Sequence, residues 1–410
     1  MNVLFLSQIV PYPPHGGVLQ RGYNLIRELG THANVHLLSF VHPDELPTEA
    51  ALGDSRHELL KFCKTVEYFP LWAKASPAHK VAALAASTVS AAPFSAIAHR
   101  SAAFERRVSE LLHSTAIDLI HADTVALGQF VDHSRRLPSV LTHHNIESLL
   151  MQRRAEVETR WLARRFLQRE TLKLAAYEAE ASPRFDINVV MSHNDAAALR
   201  KLVPQARTAV VPNGVDTEYF TPSSEDETPA MIYTGGMNMF ANKDAVLYFL
   251  NEMWPRIVDQ VPAARFFAIG QDPPGELREF AARDSRVMVT GKVKDIRPYV
   301  RQAAVYVVPL RVGGGTRLKV LDAMAMGKAI VSTSIGCEGI DVRDGEHVTM
   351  ADTPAAFADV TVALLGDQQR RRALGRTARE LVERQYAWSV IGGDLMNAYR
   401  EAIACRQERR

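Results

Sequence analysis

The sequence contains little cysteine, no strongly apolar segment of membrane-spanning length and almost no net charge. Three cysteines in 410 residues, Cys63, Cys337 and Cys405, are too few and too widely separated for a disulfide framework or a metal knuckle. Residues 81–98 carry no charge, but they are mostly Ala and Ser and contain Pro93, so they predict a helix pair rather than a membrane span. A net charge of +2 gives no whole-chain argument for nucleic-acid binding. We therefore expect a cytoplasmic protein without a nucleic-acid partner.

Several motifs that mark common enzyme classes are also missing. The sequence has no Walker lysine motif, no G-x-S-x-G elbow, no His/Cys cluster with metal-ligand spacing and no D-x-D motif. These absences argue against a P-loop nucleotidase, a serine hydrolase of the α/β type and a metal-centred enzyme. A diphosphate bound by this chain would have to be met by protein cations and helix amides, so we expect neither a cofactor nor a metal.

Residues 305–333 form the most informative stretch, which predicts a strand, a glycine loop, a helix and a second strand. Residues 305–308 are apolar and β-branched or aromatic, as in a strand buried on both faces. Three glycines follow that allow a close backbone approach: Gly313, Gly314 and Gly315. A helix is predicted to begin near Thr316, and residues 329–331 are the next strand.

Two cations occupy an unusual place at the start of this predicted helix. Arg317 and Lys319 lie in the first turn, where the helix dipole is already positive and carboxylates are preferred. Exposed amides, glycines and cations together indicate a site for an anion such as a diphosphate. The alternative is a glycine-rich turn with solvated charges, in which Lys319 pairs with Asp322 one turn later.

The whole chain reads as two series of alternating strands and helices. Strands are predicted at residues 2–7, 35–40, 66–69, 119–121, 139–142 and 188–192, then at 231–234, 265–269, 287–290, 305–308, 329–331 and 347–350. The texture of the sequence changes near residues 204–222, and the polar, acidic, turn-rich stretch SSEDETP at residues 223–229 follows; this region separates the two series. We predict an α/β fold with two doubly wound, Rossmann-like domains in succession.

Two features follow predicted strands of the first series, at the sheet edge where open α/β folds bind ligands. Gly16 and Gly17 come after the first strand; the pattern is not G-x-G-x-x-G, and a tight turn before a helix is an equal alternative. His144 comes after the strand at residues 139–142, where its imidazole could reach a substrate hydroxyl or phosphate. The alternative there is a helix start, with Asn145 as its cap.

A basic segment occupies residues 151–175. Seven cations, Arg153, Arg154, Arg160, Arg164, Arg165, Arg169 and Lys173, stand against Glu156, Glu158 and Glu170. One interpretation is a solvated helix face, and the other is peripheral contact with an anionic membrane surface.

The segments PYPPHGG, THHNIES, VPNGVD, TGGMN, VTGKV and GGGTRLKVLDAMAMGKAIVST occur in this order. Together they resemble the GT-B family of retaining glycosyltransferases, family 4-like, and more narrowly its bacterial exopolysaccharide sugar transferases. The resemblance implies two Rossmann-like domains facing across a cleft: an acceptor domain at residues 1–205 and a nucleotide-sugar donor domain at 206–387. A last helix, 388–410, would cross back onto the first domain. It also implies transfer, with retention, from a nucleotide-diphosphate sugar to a glycan or lipid-linked acceptor.

The resemblance assigns roles to individual residues. Gly17, with Gly16 before it, matches the loop that closes on the donor phosphate, and His144 matches the histidine that contacts the transferring sugar. The donor-binding positions in the second domain are Gly235, Gly236, Lys243, Val293, Gly313, Gly314, Gly315, Thr316 and Asp322. Among them, Lys243 matches a diphosphate lysine, Val293 lines the nucleobase pocket, and Asp322 is the second acid of the family's E-x7-E motif.

The sequence departs from the family pattern at two places. Gly314 replaces the first acid of E-x7-E, and Gly236 occupies the position of an arginine that accompanies the diphosphate lysine. Arg317 and Lys319 are our candidates for the missing cationic contact and hence for catalysis. Two alternatives stay open: a nucleotide-sugar epimerase on the same fold, and a non-catalytic nucleotide-sugar-binding protein.

Overall fold

The computed structural model describes residues 1–14, 16–46, 48–135, 137–224, 227–312 and 317–408. The chain divides into two compact units. The first combines Met1–Pro212 with Ile391–Arg410, and the second is Asn213–Val390. Each unit has its own parallel sheet, and the two sheets are described separately below.

Across the described part of the first unit, seven parallel strands form the sheet in the order β3-β2-β1-β4-β5-β6-β7. The central strands β4 and β5 are buried along their full length, and β1 is buried from Val3 onward, because helices cover both faces; this explains their continuous apolar character. The strands are β1 (Asn2–Ser7), β2 (Asn34–Val41), β3 (Cys63–Pro70), β4 (Leu119–Ala122), β5 (Ser139–His143), β6 (Ile187–Val190) and β7 (Thr208–Val210).

The helices of the first unit connect these strands. The uncharged stretch predicted as a helix pair is α3 and α4. The helices are α1 (Gly17–Gly30), α2 (Glu49–Leu59), α3 (Pro77–Val89), α4 (Phe94–Ala98), α5 (Ala102–Ser114), α6 (Glu147–Val157), α7 (Trp161–Ala181) and α8 (His193–Leu202). In the described residues no helix is both long enough and apolar enough to cross a bilayer.

The second unit repeats the architecture around its own apolar core, and its described residues supply six parallel strands in the order β10-β9-β8-β11-β12-β13. The strands are β8 (Thr228–Thr234), β9 (Arg265–Ile269), β10 (Val287–Val289), β11 (Ala303–Val308), β12 (Ala329–Ser332) and β13 (Thr349–Met350). The helices are α9 (Phe240–Tyr248), α10 (Trp254–Gln260), α11 (Gly275–Arg283), α12 (Arg297–Gln302), α13 (Leu318–Ala325), α14 (Pro354–Gly366) and α15 (Gln368–Gln385), with a π-helical turn at Phe249–Met253.

The last helix, α16 (Trp388–Glu408), begins in the second unit and belongs to the first from Ile391 onward. There Tyr399 contacts His121 of β4 through a hydrogen bond of 2.6 Å. The short strand β7 pairs with β6, so the first unit runs to Pro212, beyond residue 205. The pairing of both sheets confirms the prediction of two doubly wound, Rossmann-like domains.

Candidate functional site

In both sheets the strand order reverses beside the first strand of the unit, and open α/β folds bind ligands at such a reversal. In the second sheet β8 and β11 lie side by side and run parallel. Their carboxyl ends are therefore adjacent, which brings Gly235 and Gly236, after β8, close to the segment that follows β11. The stretch at residues 305–333 and the pair Gly235 and Gly236 therefore meet at the same edge of the second sheet.

Lys319 is the centre of a hydrogen-bonded group at this edge. Its ammonium donates to the hydroxyl of Tyr233 and to Oδ1 of Asn242, at 2.7 Å in each case. The Tyr233 hydroxyl also donates to Asn242 Oδ1, at 2.6 Å, and the Asn242 amide donates to the carbonyl of Gly236, at 2.8 Å. We call Lys319, Tyr233, Asn242 and Gly236 the Lys319 network. The ammonium has three N–H donors and makes two hydrogen bonds to described residues, so one donor is available to a ligand.

Burial tunes the charges along α13. It lowers the pKa of Lys319 to about 7, and the nearby Arg317 cation acts in the same direction. Burial also raises the pKa of Asp322 to about 7, against the opposing effect of Lys319. The hydrogen bonds of Lys319 run to Tyr233 and Asn242, so the alternative of a simple solvated pair between Lys319 and Asp322 does not describe this site. Perturbed groups of this kind concentrate at functional sites.

Arg317 lies directly before α13, which begins at Leu318 rather than near Thr316. Its side chain is only 9% exposed, and its Nη2 lies 3.8 Å from Oε2 of Glu338. Arg317 also contributes to the positive field that lowers the pKa of Lys319. Both predicted cations are therefore largely removed from water at the amino end of one helix, where the dipole favours an anion.

The two glycines after β8 are fixed by backbone contacts. Gly235 has φ of 152°, and its amide donates to the carbonyl of Ile269 at 3.0 Å. A Cβ on Gly270 would lie 1.8 Å from the Gly235 carbonyl oxygen, so the backbones of the β8 and β9 ends touch directly. A Cβ on Gly235 would lie 2.7 Å from the Lys319 ammonium. Gly235 therefore leaves room for the Lys319 side chain.

Other predicted donor residues lie outside this network. Lys243 pairs with Glu276 at 2.5 Å and is 36% exposed, whereas its neighbour Asn242 makes the network contacts. Val293, in the loop after β10, packs partly buried against the core. Gly313, Gly314, Gly315 and Thr316 lie outside the described residues. Their predicted roles stay predictions.

At the carboxyl edge of the first sheet, His144 follows β5 and lies beside Asp123, which follows β4. Their Nε2 and Oδ1 atoms are 3.2 Å apart, and the side chains are 11% and 3% exposed. This distance permits an ion pair when the imidazole is protonated, although Nε2 is not aligned for a hydrogen bond. Gly16 (φ 95°) and Gly17 are exposed at the start of α1, after β1.

Buried neighbours hold this edge of the first sheet in place. His121 contacts Tyr399 through Nδ1 at 2.6 Å and Thr142 through Nε2 at 2.7 Å, and burial lowers its pKa to about 3. Arg21 is 1% exposed and donates to the carbonyls of Val211 and Pro212. Burial lowers the pKa of Arg21 to about 10, although Asp123 partly offsets this effect. A neutral His121 and a charged Arg21 therefore support the Asp123 region.

The helix after His144 is not capped by Asn145, which the sequence analysis gave as the alternative. Asn145 is not the cap: α6 begins at Glu147, and the cap position is Ile146, which offers no side-chain acceptor. Instead the buried carboxylate of Glu178, on α7, accepts from the amide of Glu147 at 2.7 Å and from the Ser148 hydroxyl at 2.5 Å. Burial raises the pKa of Glu178 to about 7. The segment that carries His144 is thus tied to α7.

The residues that sequence reasoning missed are Tyr233, Asn242 and Asp123. Asp123 had a usable signal, because it lies two residues after the strand predicted at residues 119–121. Tyr233 lies inside a strand and looked like core. The cysteines are all buried and unpaired, and no group of three or more His, Cys, Asp or Glu among the described residues could hold a metal ion.

Comparisons with known proteins agree on one family. The family model described as Glycosyltransferase Family 4 matches residues 15–219, and that of Glycosyl transferases group 1 matches residues 228–367. The phosphatidyl-myo-inositol mannosyltransferase of Mycobacterium tuberculosis (strain CDC 1551 / Oshkosh) is 29% identical over 209 residues, which cover 47% of this chain and 54% of that protein. The chain thus spans about half the length of such curated relatives.

Solved structures share the fold at low sequence identity. Sucrose-phosphate synthase from Thermosynechococcus elongatus has a TM-score of 0.69 at 18% identity, with 98% of this chain and 100% of that chain covered. Anabaena Alr3699/HepE in complex with UDP has a TM-score of 0.66 at 16% identity, with 97% and 99% covered. These neighbours are GT-B glycosyltransferases, and they confirm the predicted fold class.

Proposed function

We propose, because the chain belongs to glycosyltransferase family 4, that it transfers a sugar from a nucleotide-diphosphate sugar to a hydroxyl group of an acceptor. The observation that carries this proposal is the Lys319 network. A largely buried ammonium with one available donor lies at the sheet edge where ligands bind, beside two glycines that permit close approach. Such a site suits the negative charge of a diphosphate.

In the proposed reaction the bond between the anomeric carbon and the diphosphate oxygen breaks, and the bond to the acceptor oxygen forms. The leaving phosphate takes the acceptor proton. Negative charge grows on the diphosphate in the transition state, so pre-aimed cations stabilise it more than the ground state. Lys319 and Arg317, at the start of α13, are the residues that we assign to this role. Retention at the anomeric carbon is proposed from the sequence resemblance.

We also propose that the transfer needs no metal ion. The sequence offers no D-x-D motif, and two cations with limited exposure stand at the amino end of α13. Asp322, with its raised pKa, is assigned to the ribose hydroxyls, and the amides before α13 are assigned to the sugar. In the first unit we assign contact with the transferring sugar to His144, whose Nε2 lies 3.2 Å from Oδ1 of Asp123.

The acceptor that we propose is a lipid-linked oligosaccharide of cell-surface polysaccharide synthesis, as in the exopolysaccharide transferases that the sequence resembles. The name of the mycobacterial relative specifies a lipid acceptor for that protein, which is compatible with this choice. The surface of the first unit offers further support. Val157, Trp161 and Leu162, where α6 meets α7, are 72%, 70% and 65% exposed.

These three apolar side chains stand among exposed arginines: Arg153, Arg154, Arg160, Arg164 and Arg165. We call these eight residues the α6–α7 corner. Arginines attract anionic headgroups, and a tryptophan prefers the membrane interface, so the corner suits peripheral contact with an anionic leaflet. On a helix face that contacts only water, three large exposed apolar side chains would be unfavourable, because water solvates apolar surface poorly.

The test is a panel of nucleoside diphosphates and nucleotide sugars. A ligand of the folded state raises the melting temperature, and the donor identified in this way is then incubated with polyprenyl-diphosphate-linked acceptors. We expect release of nucleoside diphosphate only with donor and acceptor together, and equally in the presence of a chelator. Conversion of the donor sugar without acceptor would instead support an epimerase. Tight donor binding with no release across the panel would support a non-catalytic binder.

A further inference from the structure

A cavity opens in the second unit, at the opposite edge of the sheet from the Lys319 network. Its volume is about 570 Å³. Glu227, directly before β8, and Lys328, directly before β12, line it, so it lies at the amino ends of the strands. The other charged residues that line the cavity include several side chains of α15. We call it the amino-edge cavity, and it takes no part in the function proposed above.

The floor of the amino-edge cavity carries one more positive charge than negative. Glu227 accepts from the Lys328 ammonium at 2.5 Å and from Nε of Arg371 at 3.0 Å. Lys328 and Arg371 are 5% and 7% exposed, so both cations are held away from bulk water. One carboxylate therefore serves two buried cations. Burial lowers the pKa of Lys328 and the Arg371 cation acts in the same direction, although Glu227 opposes both. An incoming anion would relieve this imbalance.

Two more cations stand at the rim. Arg372 and Arg376 lie one helical turn apart on α15; both are exposed and both line the cavity. Neither forms an ion pair with a carboxylate anywhere in the described parts of the chain. Glu380, one turn further, is the acidic side chain at the rim. Paired guanidinium groups with free N–H forks are the arrangement that proteins use to bind phosphate oxygens.

Backbone packing fixes the rim relative to the floor. A Cβ on Gly375 of α15 would lie 1.9 Å from the carbonyl oxygen of Gly327, in the turn between α13 and β12. Gly327 itself has φ of 65°, which favours glycine. Because α15 touches this turn directly, the guanidinium-bearing face and the Lys328 floor are held in one rigid arrangement.

We propose that the amino-edge cavity is a second anion site, which binds a small molecule that carries a phosphate group. The cationic floor and the two rim arginines meet the phosphate, and the volume leaves room for a body as large as a hexose. The two sources of this chemistry are free phosphate and a sugar phosphate. The site is separate from the donor site, so it stands whether or not the chain transfers a sugar.

The experiment is calorimetric titration of the full chain with inorganic phosphate and, separately, with glucose 1-phosphate, at constant ionic strength. The test variant is R372Q/R376Q. The matched control is R370Q/R384Q, which removes the same charge from exposed positions of α15 that do not line the cavity. We expect saturable binding to the wild type, a loss on the order of 10-fold or more in the test variant and nearly unchanged affinity in the control.

The same titration with K319Q separates this cavity from the donor site, and we expect unchanged affinity for both probes. Tighter binding of glucose 1-phosphate than of phosphate supports a sugar phosphate, and equal affinities support free phosphate. The proposal is overturned if the wild type shows no saturable binding of either probe up to ~10 mM. Equal losses in the two double variants, or loss of binding in K319Q, overturn it as well.

Discussion

Lys319 donates a hydrogen bond of 2.7 Å to Asn242, although 77 residues separate the two in the sequence. The contact exists because β8 and β11 are neighbours, so the first turn of α9 and the start of α13 lie at the same edge of the sheet. It aims the ammonium with a neutral partner instead of a carboxylate. The positive charge is therefore held in position without being neutralised, which is the condition for binding an anion strongly.

Replacing Lys319 by glutamine should weaken donor binding without unfolding the protein. Gln removes the charge and keeps a polar N–H donor, although its side chain is one atom shorter than that of lysine. We expect the affinity for a nucleotide sugar to fall on the order of 10- to 100-fold, measured by calorimetry. The exposed Arg256→Gln, on α10, loses the same charge as a control and should leave the affinity intact. An unaffected K319Q would remove Lys319 from the proposal.

Donor affinity should fall as the pH rises through about 7. The pKa of Lys319 is lowered to about 7 by burial, so the ammonium, which attracts the diphosphate, is lost above that pH. Asp322, whose pKa is also about 7, gains its negative charge over the same range and adds to the loss. A nucleotide sugar is the right probe, because its diphosphate has no terminal phosphate that titrates near pH 6.

The pH profile in K319Q provides the control for this prediction. The variant should lose most of the pH dependence and retain only the smaller part caused by Asp322. A wild-type profile that is flat between pH 6 and 8 would contradict the assignment of these charges, because the pKa values of both groups, about 7, lie within that interval.

His144→Ala should lower turnover by about 10²- to 10⁴-fold with little change in donor affinity, if His144 contacts the reacting sugar. Asp123→Asn keeps the shape of the side chain and removes its charge, so it should have a smaller effect. The measurement is kcat with a saturating donor. Loss of donor binding in His144→Ala, with normal turnover of the residual complex, would instead indicate a role in the structure of the first unit.

Tyr399→Phe should destabilise the first unit by about 1–3 kcal/mol, because it leaves the buried Nδ1 of His121 without its partner. His121 stays neutral at pH 7, since its pKa is about 3, and cannot compensate by gaining charge. Urea unfolding measures the effect. Tyr299→Phe is the control, because the Tyr299 hydroxyl makes no hydrogen bond within the described residues, and its loss should cost little.

We expect the protein to bind, through the α6–α7 corner, vesicles that contain phosphatidylglycerol and not to bind vesicles of pure phosphatidylcholine. Trp161→Ser/Leu162→Ser should reduce the bound fraction at least about 10-fold, since it removes two apolar groups that would enter the interface. Leu60→Ser, at a separate exposed position, is the control. Added salt should weaken binding because the arginine contribution is screened. Equal binding by the double variant would favour the solvated-face interpretation.

The fold could be predicted closely from the sequence because the buried parallel strands are continuous apolar runs that alternate with helices. The strand β7 was missed, since three residues at a sheet edge are too short to show any periodicity. Because β7 belongs to the first sheet, the first unit extends to Pro212, whereas the sequence analysis placed its end at residue 205. Pairing, which decides such an edge, depends on neighbours that a single sequence does not identify.

The site was less predictable than the fold. Lys319 was found from its odd position in a helix start, whereas Asn242 was not chosen and its neighbour Lys243 was. One residue turns a helix by 100°, so an error of one position exchanges a side chain at the site for one at the surface. Tyr233 could not be distinguished from a core residue, because its hydroxyl becomes informative only once Lys319 and Asn242 are placed around it.

The contact between Gly270 and the carbonyl oxygen of Gly235 also limits how this chain can diversify. A methyl group on Gly270 would collide with the Gly235 backbone at the ends of β8 and β9, and a methyl group on Gly235 would displace the Lys319 ammonium and the Asn242 amide. Substrate preference in natural or engineered variants must therefore be altered at positions whose side chains do not take part in the packing of Gly235 against Gly270. Saturation libraries should spare the two glycines and randomise Asn238 and Met239, which are exposed in the adjoining loop.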